Sequence, residues 1–291
     1  MIFPDTDTTA TTLGALDREG ITISAETFET IGRILKNLKG FNLDIYKDKC
    51  IKRRIAIRIR ATHCATAEEY CDLLLHRQDE LDRLLKVLTI HVSQFFRNPP
   101  TFEKLKREII PALFSLCRQE GRAELKCWSV GCAGGEEPYS LALLFKETFS
   151  KEMEHTRVSI LASDVDSIVL DHARRGEYPE ERLLEVPAET RKRWFTEEAG
   201  KYSLHPEIKT MVEFRRGDLF ETTTFSESDL ILCRNVLIYF ERQQQEIIVN
   251  SFADVLRPGG ILVLGKSETL VGECRRRFRT ICPVERIYKV A

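Results

Sequence analysis

Large apolar residues recur at Ile31, Ile34, Leu35 and Leu38 and the run stops at Gly40, which is the spacing of an amphipathic helix. A second stripe at Ile51, Ile55 and Ile59 follows. Thr66 and Glu69 then form a capping-box start ahead of Tyr70, Leu73 and Leu74, and Leu81, Leu84, Leu85 and Leu88 mark a fourth helix. Residues 23–98 are therefore expected to form a helical domain. Residues 1–22 are rich in Thr and Asp, bury too little to offset ordering, and are expected to be a flexible tail.

The period changes in residues 99–291, which are expected to form a second domain. Phe102, Leu105 and Ile109 open a helix that runs past Pro111, and short apolar runs then alternate with helical segments. Residues 125–130, 157–163, 212–220, 230–233 and 259–265 read as strands of an α/β sheet, and 284–290 as a final exposed strand. Residues 177–211 break the alternation and are expected to be an insertion with some structure of its own.

The chain is organised around residues 125–140, LKCWSVGCAGGEEPYS. A buried strand meets Gly131, Gly134 and Gly135, and Pro138 suits the first turn of a helix, as in a nucleotide-binding α/β domain. The Gly-x-x-Gly-Gly spacing departs from the dinucleotide fingerprint, and Glu136 and Glu137 follow at once. Two carboxylates would repel a pyrophosphate and favour a cationic nucleoside such as S-adenosylmethionine, with its sulfonium and ammonium groups. Both acids also complement the helix dipole, and these residues alone leave the two readings open. Asp164 and Asp166 end the second strand, where a Rossmann-like domain holds a ribose; a turn-forming Asp is the bland reading. Asn235 and Tyr239 lie just past the apolar strand 230–233, at the edge where open α/β sheets bind ligands.

With 291 residues, 43% of them hydrophobic, the chain can bury substantial cores. Its apolar runs are shorter than a bilayer span, and a charged start with an apolar h-region is missing, so a cytoplasmic protein is expected. Nine scattered cysteines without a C-x-x-C pair read as reduced thiols, and six dispersed histidines give no metal site. The net charge of −1 hides a basic run, with Lys47, Lys49, Lys52, Arg53, Arg54, Arg58 and Arg60 against Asp48. Arg53 and Arg60 project away from the isoleucine stripe. A solvated face and an acidic protein partner both suit this run; a nucleic-acid surface is disfavoured because aromatic residues are absent from it.

Taken together, SQFFR at 93–97, GCAGGEEPYS at 131–140, ASDVD at 162–166 and CRNVLIYF at 233–240 resemble the chemotaxis receptor methyltransferases, the CheR family. The resemblance covers roughly residues 25–290. It implies an N-terminal all-α domain, a Rossmann-like domain that binds S-adenosylmethionine, and a small β-subdomain in the insertion. It also implies methylation of glutamate side chains on methyl-accepting chemotaxis proteins. The cofactor contacts it implies are Ser93, Arg97, Glu136, Asp164, Asp218, Leu219, Asn235 and Val236, with Ser93, Asp218 and His91 standing where Thr, Asn and Asn are usual. Arg97 and Tyr239 are the implied catalytic residues, and Arg53 and Arg60 the expected contacts to an acidic receptor bundle. The stretch from Phe195 to Val212 looks short beside members that grip a receptor's C-terminal peptide. A nicotinamide oxidoreductase is disfavoured by the Glu pair, whereas a catalytically silent adenosyl-ligand module stays open and would not need Arg97.

Overall fold

A computed structural model of the chain describes residues 23–89, 93–222 and 225–291, so the expected tail and His91 lie outside the described residues. These residues fall into two compact units divided between Ile90 and His91. The division comes before the expected 98/99 boundary because Phe95 is fully buried in the second unit, edge-on to Tyr178 and Phe195.

The first unit packs α1 (Ala25–Lys39), α2 (Asp48–Ala61), α3 (Ala67–His76) and α4 (Gln78–Leu88) around one core. Ser24 caps α1 by accepting the Thr27 N–H, and Gly40 closes it at φ 68°, a conformation that Gly adopts at little cost. Thr66 accepts the Glu69 N–H as the capping box predicts, and the Glu69 carboxylate reaches back to Ala65. Ile51, Ile55 and Ile59 are buried as their spacing predicts, whereas Leu38 is 50% exposed and leaves the expected stripe. The basic run is less uniform than its sequence. Arg53 and Arg60 are exposed, but Arg58 turns inward to the buried Glu80 at 2.6 Å, with the Tyr70 hydroxyl donating to the same carboxylate.

In the second unit, α5 (Pro99–Lys104) and α6 (Ile110–Gln119) flank a π-helical turn at Leu105–Ile109. The expected continuous helix is thus interrupted next to Pro111, which has no N–H to give to the α-helical ladder. A seven-stranded sheet follows in the order β6-β2-β1-β7-β8-β10-β9. Its strands are β1 (Glu124–Val130), β2 (Arg157–Asp164), β6 (Val212–Arg216), β7 (Ser228–Cys233), β8 (Leu256–Leu264), β9 (Phe278–Cys282) and β10 (Ile287–Val290). The first five in this order run parallel, and β10 returns antiparallel to β8. The final strand is therefore not an exposed edge: β10 is covered by β9, and Ile287 and Tyr288 are buried.

The helices α7 (Glu136–Thr148), α8 (Ser167–Arg175) and α11 (Arg242–Val255) complete the Rossmann-like layers. Alternation along β1 sends Leu125 and Cys127 into the core shared with α6 and α7, while Trp128 faces Phe252 of α11. The insertion holds α9 (Ala188–Trp194), α10 (Pro206–Lys209) and a separate antiparallel sheet of β3 (Glu177–Pro179), β5 (Lys201–Leu204) and β4 (Phe195–Glu198). Ala199 and Gly200, at φ 49° and 75°, join β4 to β5 in a tight hairpin turn of the primed type.

Candidate functional site

Because β2, β1, β7 and β8 are parallel and in register, their carboxyl ends at Asp164, Val130, Cys233 and Leu264 share one edge of the sheet. The loops that leave this edge carry six of the residues expected from the sequence: Glu136, Asp164, Asp218, Leu219, Asn235 and Val236. Ligands of open α/β sheets bind at such an edge.

The glycine loop is held by Asp164, which is 7% exposed. One of its carboxylate oxygens accepts the Ala133 N–H at 3.0 Å and the other the Asp166 N–H at 3.1 Å, while its carbonyl takes Gly217 at 3.1 Å. Asp166 caps α8 through the N–H groups of Ile168 and Val169, so of the two acids Asp164 is the one left at the loop. Gly131 has φ 63°, and a Cβ there would come within 2.5 Å of Val236 Cγ2. The glycine loop and the loop after β7 therefore touch, and only the absence of a side chain at Gly131 lets them.

The segment 93–98 is bound to the start of α7. Ser140 Oγ accepts the Phe96 N–H at 2.8 Å, and Phe95 N–H donates to the Arg182 carbonyl at 3.0 Å. Arg234, 6% exposed, is the hub of this region. Its guanidinium donates to the Arg97 carbonyl at 2.6 Å and to Asn98 Oδ1 at 2.9 Å, and lies 3.2 Å from Glu137. Glu137 also accepts from Ser129 at 2.8 Å. Of the Glu pair, Glu137 is thus committed to the scaffold, whereas the buried Glu136 lies 3.6 Å from Arg182.

Glu268 performs the same service for the loop after β7. It is 4% exposed and accepts N–H bonds from Asn235 at 2.9 Å, Gly265 at 2.6 Å and Ile238 at 3.3 Å. Burial pushes its carboxyl above the usual carboxylate range, against the opposing pull of these N–H groups. The loop continues to a 3₁₀ turn at Leu237–Tyr239, which places the half-buried Tyr239 beside Val236.

Four non-glycine residues of the site, Phe96, Asn98, Ala133 and Asn235, have φ between 48° and 61°. Such left-handed backbone persists where its surroundings fix it, and its clustering marks a functional site. Asn235 Oδ1 is buried and has no hydrogen-bond partner among the described residues. An acceptor left open beside a glycine cradle and a carboxylate at the second strand's end fits a nucleoside with amine and hydroxyl donors. Asp218 and Leu219 line a cleft with Trp128, Ser163, Arg216 and Phe225, although one Asp218 oxygen is occupied by the Phe220 N–H at 2.9 Å.

Ser93, Arg97 and Tyr239 lie in the same unit as this group, whereas Arg53 and Arg60 belong to the other unit. Arg182, Arg234 and Glu268 were missed. For Arg234 the signal was a charged residue directly after a continuous apolar strand; Arg182 and Glu268 sit in segments whose partners are distant in sequence. Burial pushes the thiols of Cys127, Cys132 and Cys233 far above their ordinary range, so they stay protonated and inert. Among the described residues there is no cluster fit to hold a metal ion, and no helix long and apolar enough to cross a membrane.

Comparison with known proteins gives the chain's family. The family model for the CheR methyltransferase, SAM binding domain, matches residues 91–285, and that for the CheR methyltransferase all-alpha domain matches 26–89. The chain is 35% identical over 239 residues to a chemotaxis protein methyltransferase of Listeria innocua, covering 82% of this chain and 88% of that one. It is 34% identical to chemotaxis protein methyltransferase 2 of Pseudomonas aeruginosa, over 84% of this chain and 87% of that one. An uncharacterized 104.1 kDa protein of Rhodobacter capsulatus is 34% identical over 84% of this chain, which spans only 26% of that protein's length. The chain belongs to the CheR methyltransferase family, and its cofactor is S-adenosylmethionine.

Proposed function

We propose that the protein transfers a methyl group from S-adenosylmethionine to glutamate side chains of methyl-accepting chemotaxis receptors, giving glutamate methyl esters. The observation that carries this reading is the bond from Arg234, just past β7, to the Arg97 carbonyl together with its ion pair to Glu137, which ties the segment carrying Arg97 to the start of α7. The relatives named as chemotaxis protein methyltransferases support the receptor as substrate.

S-adenosylmethionine, when bound, supplies an electrophilic methyl carbon. The protein's own residues have little bond chemistry to add. A glutamate carboxylate, with a pKa of about 4.3, is already an anionic nucleophile at neutral pH, so no general base is required. What remains is positioning: the carboxylate oxygen has to reach about 3 to 3.5 Å from the methyl carbon, in line with the bond that breaks. Arg97 and the Tyr239 hydroxyl are proposed to aim it, and Ser93, Glu136, Asp164, Asp218, Leu219, Asn235 and Val236 to hold the cofactor. An Arg97 ion pair that was too strong would stabilise the bound substrate and slow transfer, so its contact must tighten toward the transition state.

The two-residue hairpin between β4 and β5 supports a protein that works without gripping a receptor's C-terminal peptide. A silent adenosyl-binding module would have no use for Arg97. The test is transfer of a radiolabelled methyl group to membranes containing receptors, followed by alkali. Release of labelled methanol is the expected result, because an ester hydrolyses in base. Label that resists alkali, or receptors that stay unlabelled, would overturn the assignment.

A further inference from the structure

We propose that Arg182, on the inserted subdomain, binds the α-carboxylate of the methionine portion of S-adenosylmethionine and so determines recognition of the intact amino-acid end. The inference rests on the proposed function, in which Glu136 helps to hold the cofactor, and takes the ammonium as the group that Glu136 meets. A free α-amino acid end is a zwitterion. A site that offers it only a carboxylate would take the ammonium and leave the neighbouring anion facing Glu136, at a cost in repulsion and lost solvation. An anionic group and a cationic group side by side satisfy both charges.

Arg182 supplies that second charge. Its guanidinium lies 3.6 Å from Glu136 Oε1 and also donates to the Ser93 carbonyl. A guanidinium has five N–H donors in a planar fork suited to bidentate binding of a carboxylate, and these contacts engage only part of it. The Arg182 side chain is 32% exposed while that of Glu136 is 4% exposed, so Arg182 has the open side from which a ligand's carboxylate can be met. Its backbone is fixed in advance. The Arg182 carbonyl accepts from Phe95, Leu183 is buried beside it, and the Tyr178 hydroxyl of β3 donates to the Gly134 carbonyl at 2.7 Å, tying the insertion to the glycine loop. A charged group on a preorganised backbone loses little entropy when it engages a ligand.

Calorimetry on the full chain with S-adenosylhomocysteine and with its decarboxylated amine separates the possibilities. Arg182→Ala should weaken binding of S-adenosylhomocysteine roughly 10- to 100-fold, the loss of a charge-assisted contact. The amine, which lacks the carboxylate, should lose less than about 3-fold, and Arg182→Lys should recover part of the affinity for S-adenosylhomocysteine alone. Equal losses on both ligands would make Arg182 a mere prop for Ser93 and overturn the proposal, as would no loss on either. Glu136→Gln provides the separate control, since both ligands carry the ammonium and both should weaken. If that variant binds both ligands normally while Arg182→Ala still discriminates, the placement at Glu136 fails and the Arg182 contact stands. A wild-type protein that binds neither ligand overturns both.

Discussion

Glu268 shows how one buried carboxylate shapes the site and sets a pH dependence. Its N–H partners, Asn235, Gly265 and Ile238 among them, bring the loop after β7 to the end of β8. Burial raises its pKa in the folded protein, so the folded state holds this proton more tightly than the unfolded chain. Its contribution to stability is therefore complete below the unfolded carboxylate value and is lost as pH rises through the folded one. Glu268→Gln removes the titration while keeping the shape. Urea unfolding of both proteins between about pH 4 and pH 8 should show wild type losing ground to the variant as pH rises; a constant difference would contradict the assignment. Arg97 makes the complementary case: its carbonyl serves the fold, and its side chain is the one proposed to aim the substrate. Arg97→Ala keeps that carbonyl, so the melting temperature should hold while methyl transfer to receptors falls by about 100-fold, the scale of a misplaced reactant. Turnover at the wild-type rate would remove Arg97 from the aiming role.

At the scale of elements, the site depends on how closely the loops at the carboxyl edge of the sheet approach one another. Gly131 is the contact point between the loop after β1 and the loop after β7, and Gly131→Ala would drive a methyl group into Val236 at a positive φ. Left-handed backbone alone costs an L-residue about 1 to 2 kcal/mol, and the clash adds to it. We expect this variant to fold and to bind S-adenosylhomocysteine at least about 10-fold more weakly, read by calorimetry. Unchanged affinity would show that the two loops do not need this spacing. The helix elements follow a simpler rule. In α2 the isoleucine spacing fixed which face is buried, but spacing does not report ion-pair partners: Arg58 left the basic face because Glu80 and Tyr70 of other helices offered it a buried pair. Breaking such a pair strands a charge at a cost of about 3 to 5 kcal/mol, which explains why the arginine is drawn in.

Across the whole molecule, a net charge of −1 conceals a basic stretch on α2, of which Lys49, Arg53 and Arg60 are exposed. If these residues steer an acidic receptor bundle, Arg53→Glu with Arg60→Glu should leave cofactor affinity intact. The pair should slow receptor methylation at low salt and converge on wild type at high salt, because exposed charges are screened beyond about 8 to 10 Å at physiological ionic strength. A double variant that methylates normally at low salt would reduce the stretch to a solvated surface. The division into a helical unit and an α/β unit, the strand-loop-helix at 125–140 and the acid at Asp164 were legible in the sequence, because period, glycine spacing and capping residues act over a few neighbouring positions. The interior place of β10 was not legible, since alternation along a strand does not say which strand will cover it. Nor were Arg182, Arg234 and Glu268, whose partners lie far away in the chain and become neighbours only when the parallel sheet gathers its loops at one edge. Local spacing determined which elements form and which faces they bury; the pairing of buried charges was decided by tertiary structure, because a charge removed from water must find its counterpart wherever the fold has placed it.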